Sequence, residues 1–254
     1  MKRSLIALAC TTVASLPLAA VAVAEEAPDR SWKGELEVAW LVKRGNTESD
    51  TFIGKTNAEK DGVRWRHTGK LEATNEEKTT AGLSERTAER YFASYKLDRK
   101  LGDNAPGYLF NIISYDKDLF SGFHYQASYA LGLGRRWLDN DRHTLDTEAG
   151  PGYRVVCLEP ETSYTDCQNT DEGGILRLGL KYEWNINDGA QFREAITTEI
   201  SDNITTTRAE TSLTSRINGR LAMRITHLLK HTSEVTAPAK KTDNELTVSL
   251  VYKF

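Results

Sequence analysis

The sequence predicts an all-β fold: a transmembrane, antiparallel, up-and-down β-barrel of about twelve strands, of the outer-membrane type. Three observations predict it. The chain ends in Leu246-Thr247-Val248-Ser249-Leu250-Val251-Tyr252-Lys253-Phe254, with apolar residues at alternate positions and an aromatic as the last residue. Soluble chains usually fray into polar tails, whereas a barrel of this type closes on such a strand. The same period-2 alternation recurs along the chain, without the spacing of three and four that a helix requires. The third observation is the rhythm of the connections, which alternate between tight turns and longer loops.

The elements follow in order. Lys2 and Arg3, an apolar run from Leu5 to Val23, and Ala22-Val23-Ala24 before Glu25-Glu26 read as a secretory signal peptide, residues 1–24. Cys10 as a lipoprotein cysteine is disfavoured because the apolar run continues past it, and Pro17 with the cleavage site disfavours a retained membrane helix. The barrel then occupies residues 25–254, with a formal charge of −5 once Lys2 and Arg3 are removed. That charge argues against a nucleic-acid binder. Mean hydropathy is −0.51, which does not oppose a membrane barrel, because only alternate residues of each strand face lipid.

The expected strands are 32–42, 50–60, 63–73, 87–99, 107–116, 123–137, 142–154, 174–186, 190–201, 204–217, 219–231 and 243–254. An even number returns both termini to one side of the membrane. Asp61-Gly62 and Asn218-Gly219 are strong hairpin signals. Tight connections at one end contrast with longer ones expected at 74–86, 154–173 and 232–242. Trp32, Trp40, Trp65, Tyr153, Trp184, Tyr252 and Phe254 fall near strand ends, where an interfacial aromatic girdle requires them. The strand at 107–116 resists assignment, since Leu109, Asn111, Ile113 and Tyr115 compete with Tyr108, Phe110 and Ile112 for the outward face. Leu250, Tyr252 and Phe254 form the expected signal for barrel-assembly machinery, with membrane lipid and lipopolysaccharide as surroundings.

Several stretches are more specific. Trp32-Lys33-Gly34-Glu35-Leu36-Glu37 leads to Arg44-Gly45-Asn46-Thr47-Glu48. Asp118-Leu119-Phe120-Ser121-Gly122-Phe123, Gly132-Leu133-Gly134-Arg135, Asp141-Arg142-His143-Thr144-Leu145 and Glu148-Ala149-Gly150-Pro151-Gly152-Tyr153-Arg154 follow. This pattern resembles the YdiY-like family of salt-induced outer-membrane proteins, the domain of unknown function 481 family. The resemblance spans essentially the whole exported chain. It implies a barrel in the bacterial outer membrane and a link to salt or osmotic stress. It implies no catalytic residues and no cofactor.

The polar faces carry the functional reading. Glu35, Lys55, Arg64, Arg66, Lys70, Glu72, Arg177, Lys181, Glu183, Arg208, Glu210 and Arg224 are expected to line the lumen, with both signs mixed. Two readings stay open: a narrow channel for ions or small polar solutes, or a structural barrel closed by cross-strand ion pairs. A lipid hydrolase sited on the wall is a third class. His67 and His227 fall on expected outward faces, but no Ser in a nucleophile context marks such a site, so the expectation is not an enzyme. Cys157 and Cys167 share one expected surface loop and read as a disulfide in an oxidising envelope. Metal binding by the two thiols lacks a His in that loop. The loop is acidic, with Glu159, Glu161, Asp166, Asp171 and Glu172; a solvated loop and a loose divalent-cation site are both compatible with this.

Overall fold

The computed structural model describes residues 32–43, 48–80, 83–102, 105–118, 123–157, 170–234 and 240–254. They form twelve antiparallel strands: β1 Lys33–Lys43, β2 Glu48–Asp61, β3 Trp65–Thr80, β4 Leu83–Lys100, β5 Gly107–Asp118, β6 Tyr125–Asp139, β7 His143–Cys157, β8 Thr170–Asn187, β9 Ala190–Ile200, β10 Thr205–Arg216, β11 Leu221–Thr232 and β12 Thr242–Lys253. Each strand pairs with its sequence neighbours, and β1 pairs with β12, so the sheet closes into a barrel. Every expected strand is present. The expected signal peptide lies outside the described residues.

Both ends of the described chain lie at one rim, here the terminal end. Its turns are short, with Asp61 and Trp65 flanking one and Asn187 and Ala190 another. The opposite rim is the loop end. There the expected loop at 74–86 is corrected: β3 runs to Thr80 and β4 begins at Leu83, so the hairpin continues as paired strand with a register shift at Glu76/Glu77. Polar and charged residues, Asn75 to Thr79 and Ser84 to Thr87, make up this extension, which carries no continuous apolar face. The loop expected at 154–173 also shortens, because β7 reaches Cys157 and β8 begins at Thr170. Asp171 and Glu172 therefore belong to a strand, while Glu159, Glu161, Asp166 and Cys167 lie outside the described residues.

Strand alternation sorts the side chains. Leu36, Val38, Leu131, Leu133, Leu176, Leu178, Leu246, Val248 and Leu250 are all exposed, and they point outward. Trp40 is 73% exposed at the loop end. Aromatic rings cluster toward the rims: Trp32, His67 and Tyr95 adjoin at one, and Tyr115 stacks on Tyr125 at the other.

The ambiguous β5 resolves by packing. Tyr108 and Phe110 face inward and are buried, with Ala130 and Ile112 beside them. Leu109, Ile113 and Tyr115 face outward. Glycine makes the inward aromatic face possible. A Cβ at Gly134 would collide with the Tyr108 ring, and one at Gly132 would lie 2.6 Å from the Gly150 Cα. Pro151 has no N–H to give the β6–β7 ladder, and between Ala130↔Gly152 and Leu133↔Ala149 the register has a gap. The Gly-Leu-Gly and Gly-Pro-Gly stretches thus build a close approach of two backbones under an aromatic cluster.

Closure has its own device. The Phe254 N–H donates to the Gly34 carbonyl and the Gly34 N–H to the Phe254 carbonyl, each at 2.9 Å. The Phe254 ring lies over Gly34, in space that any side chain at 34 would occupy. Phe254→Asp and Gly34→Val should therefore both lower the folded fraction, the first by putting charge at the rim, the second by displacing the ring. Heat-modifiable gel migration after membrane extraction measures this; wild-type levels of folded band for both variants would contradict the role of this seam.

Candidate functional site

The inward faces enclose a polar cavity of about 600 Å³. Its walls include Glu35, Arg66, Lys70, Glu72, Arg177, Lys181, Glu183, Arg208 and Glu210, all expected in the lumen. Arg224 also points inward, and Lys55 continues the inward alternation of β2. Arg64 differs: it sits in the turn before β3, where its carbonyl accepts from the Lys100 N–H. Its place just before the paired region explains this, since alternation assigns a face only inside a strand. Strand patterning puts Arg90, Asp98, Asp146 and Glu148 on the polar face but does not give their partners, and it leaves Asp116, Arg193 and Glu199 unremarked; pairs such as Lys96–Glu148 and Arg193–Glu35 join strands that are not neighbours.

At the terminal end, Arg224 of β11 donates through Nη1 to Glu35 at 2.9 Å and to Glu37 at 2.8 Å, and through Nη2 to Glu35 at 2.8 Å. Its Nε donates to Thr214 Oγ1 at 2.8 Å. Ser249 of β12 donates to Glu37 at 2.8 Å. Arg224 thus reaches across the face of β12 to β1 and ties the closing strand from inside. Arg193 of β9 extends the cluster, bridging Glu183 at 2.9 Å and Glu35 at 3.2 Å.

A second cluster lines the β3–β7 side. Arg66 bridges Asp98 at 2.7 Å and Asp146 at 3.4 Å, and Arg136 holds the other face of Asp146 at 2.8 Å. Lys96 pairs with Glu148, whose carboxylate also accepts from the Tyr108 hydroxyl at 2.8 Å. The Arg66 guanidinium lies over the Tyr108 ring at 4.8 Å. In the loop half, Arg90 forms a fork onto Asp116 at 2.9 and 3.0 Å. Arg177 holds Glu199 at 2.6 Å.

Several contacts cross the bore. Lys181 of β8 approaches Glu59 of β2 at 4.0 Å, and Lys230 of β11 approaches Asp116 of β5 at 3.9 Å. Both pairs join strands on opposite sides of the ring. Arg208 of β10 bridges Glu72 of β3 at 2.9 Å, nearly opposite. The interior therefore combines wall-hugging pairs with transverse ones, of which Arg208–Glu72 is tight and those of Lys181 and Lys230 are looser. Water and small ions can share the Lys181–Glu59 pair, whose side chains are part-exposed, whereas the Lys230 ammonium is shielded from solvent.

The histidines sit at the outer wall or the rims. His67 is hydrogen-bonded to Tyr95 at 2.7 Å, His143 to Tyr182 at 2.9 Å and His231 to Thr242 at 2.8 Å. These are girdle and rim contacts to phenols and a hydroxyl. Among the described residues no group of three or more His, Cys, Asp or Glu is arranged to hold a metal ion.

Removing the Arg224 head group would leave Glu35 and Glu37 short of their shared cation in a buried setting. Breaking such a pair costs about 3–5 kcal/mol. Arg224→Leu should lower the denaturant midpoint of the refolded barrel accordingly, while Arg224→Lys retains part of the loss. Equal midpoints for wild type and Arg224→Leu would show that the cluster adds nothing to stability.

Comparison with known proteins places this barrel. Among solved structures it is similar to the translocator domain of the autotransporter NalP from Neisseria meningitidis, with TM-score 0.46, 13% identity, and coverage of 88% of this chain and 87% of that one. It is also similar to the KdgM porin, with TM-score 0.44, 7% identity, and coverage of 87% and 99%. In sequence it is 27% identical over 226 residues to the uncharacterized protein YdiY of Escherichia coli (strain K12), covering 88% of this chain and 83% of that protein. The family model described as protein of unknown function, DUF481, matches residues 36–254, from the outward Leu36 of β1 to the terminal Phe254, and the chain belongs to that family.

Proposed function

We propose that this protein is a bacterial outer-membrane barrel providing a narrow, weakly selective passage for small ions and polar solutes, with its terminal end in the periplasm. The observation that carries this is the cavity of about 600 Å³, lined by both signs and crossed by pairs as loose as 3.9 and 4.0 Å. The membrane location rests on the exposed leucine and valine belt, on the aromatic rims, and on the sheet closed by pairing of β1 with β12. Neither sign dominates the bore, so selectivity is weak. The transverse pairs restrict the cross-section, so conductance is small. A salt-stress role fits the same geometry, because added salt screens pairs that water reaches.

The transverse pairs themselves favour a second reading, a structural barrel that stays closed. Single-channel recording in planar bilayers separates the two. Small events are expected from the wild type, rising several-fold in the triple variant Lys181→Ala, Arg208→Ala, Lys230→Ala. Arg177 is a poorer target, since it pairs with Glu199 of the neighbouring strand. Silence from both proteins at matched insertion would overturn the channel and leave the closed barrel.

We also propose the disulfide between Cys157 and Cys167. Cys157 is buried at the loop end of β7, and an exported chain meets an oxidising compartment. Closing a loop of this size stabilises by roughly 2–3 kcal/mol in the chain-entropy model. Intact protein purified without reductant should be lighter than its reduced form by the mass of two hydrogens; identical masses would remove the bond.

A further inference from the structure

The outer wall is not uniform. On β8 the outward positions include Leu176, Leu178 and Trp184, and on β12 they include Leu246, Val248 and Leu250. On β10 the same face carries Thr205, Thr207, Ala209 and Thr211 before Leu213, so small and hydroxylic residues replace leucines over most of the strand. In register, Thr211 lies opposite Glu194 of β9 and His227 of β11. Its Oγ1 donates to Glu194 Oε2 at 2.6 Å. Glu194 is two positions beyond Phe192 on the outward face, on the membrane side of the rim. Higher on the same seam, Thr198 and Thr207 share a hydrogen bond at 3.1 Å.

A carboxylate and an imidazole facing acyl chains are costly, and such groups ordinarily face protein or water. One hydroxyl donor does not replace the hydration of Glu194. The patch carries its own complement, however. Glu194 and His227 stand two strand spacings apart, about 10 Å, on either side of Thr211. A surface that presents both halves of an ion pair about a central point is self-complementary under a two-fold axis. The small side chains of β10 let two walls approach closely there.

We propose that the outward face of β9–β11 is the contact between two copies of this chain in the membrane, related by a two-fold axis near Thr211 that sets each Glu194 against His227 of the partner subunit. The proposal rests on the membrane reading above but not on conduction. It also predicts that burial of Glu194 and His227 in the contact, and not lipid, satisfies both groups.

The test has two arms, each on full-length protein whose folding is first checked by heat-modifiable migration. Sedimentation equilibrium in detergent should give a dimer for the wild type, and the Glu194→Leu, His227→Leu double variant should weaken it at least tenfold. In cells, a photo-crosslinking phenylalanine replacing Leu213, on the same outward face of β10, should yield an adduct of twice the subunit mass; the same replacement at Leu131 on β6 should not. A folded, membrane-inserted wild type that stays monomeric would overturn the proposal and leave the membrane reading intact. So would a Leu213 adduct to lipopolysaccharide or to a different protein, or a double variant that dimerises as well as the wild type.

Discussion

A β-sheet with free edges cannot sit in hydrocarbon, because each unpaired N–H and C=O would lack a partner that water otherwise supplies. Pairing of β1 with β12 closes the ring, and the remaining architecture is arranged around that seam. Its ladder is short, from Glu35↔Lys253 to Val38↔Leu250, with Gly34 and Phe254 adding two further bonds. Two side-chain devices reinforce it from opposite faces. Outside, the Phe254 ring covers Gly34. Inside, Arg224 reaches over β12 to Glu35 and Glu37 while Ser249 of β12 holds Glu37. The terminal aromatic and a lumen salt bridge, which look unrelated along the chain, serve the same closure.

Closing the sheet creates an interior that must be filled or wetted. This chain does both. Between β5 and β7 it fills the wall with Tyr108 and Phe110 over Gly132 and Gly134. Elsewhere it uses charged chains long enough to meet across the bore, and nearly every lumen carboxylate named above touches a cation. Buried pairs of this kind contribute little net stability against an apolar alternative, so their persistence is better explained by a wet interior than by strength.

Much of the fold was legible in the sequence because a strand in a barrel wall has two different solvents on its two faces, and alternation records both. Leu246 to Phe254 and Leu176 to Trp184 show this directly. Where the pattern weakened, the cause was local. Hairpin β3–β4 beyond Thr74 projects past the apolar belt, so its residues such as Glu76 and Ser84 carry no lipid-facing signal, and a loop was the natural expectation. In β5 both faces are apolar, one against lipid and one against the glycines of β6, and alternation could not choose between them. The lumen residues were legible as a set but not as pairs. Lys230 and Asp116 stand more than a hundred positions apart, and only ring geometry sets them opposite. Glu194 escaped notice for a related reason: a single acid in a strand reads as polar-face noise until its register beside Thr211 and His227 is known.

The central claim is that one wall separates lipid from a charged, hydrated interior, with the side-chain period of two marking the boundary. Nitroxide scanning along β6, from Tyr125 to Asp139, measures this most directly in reconstituted bilayers. Labels at Ala127, Leu131 and Leu133 should be relaxed by oxygen dissolved in lipid and protected from a water-soluble nickel chelate. Labels at Gln126 and Ser128 should show the reverse order of accessibility. Accessibilities that fail to alternate, or leucine positions open to the aqueous relaxant, would contradict the account.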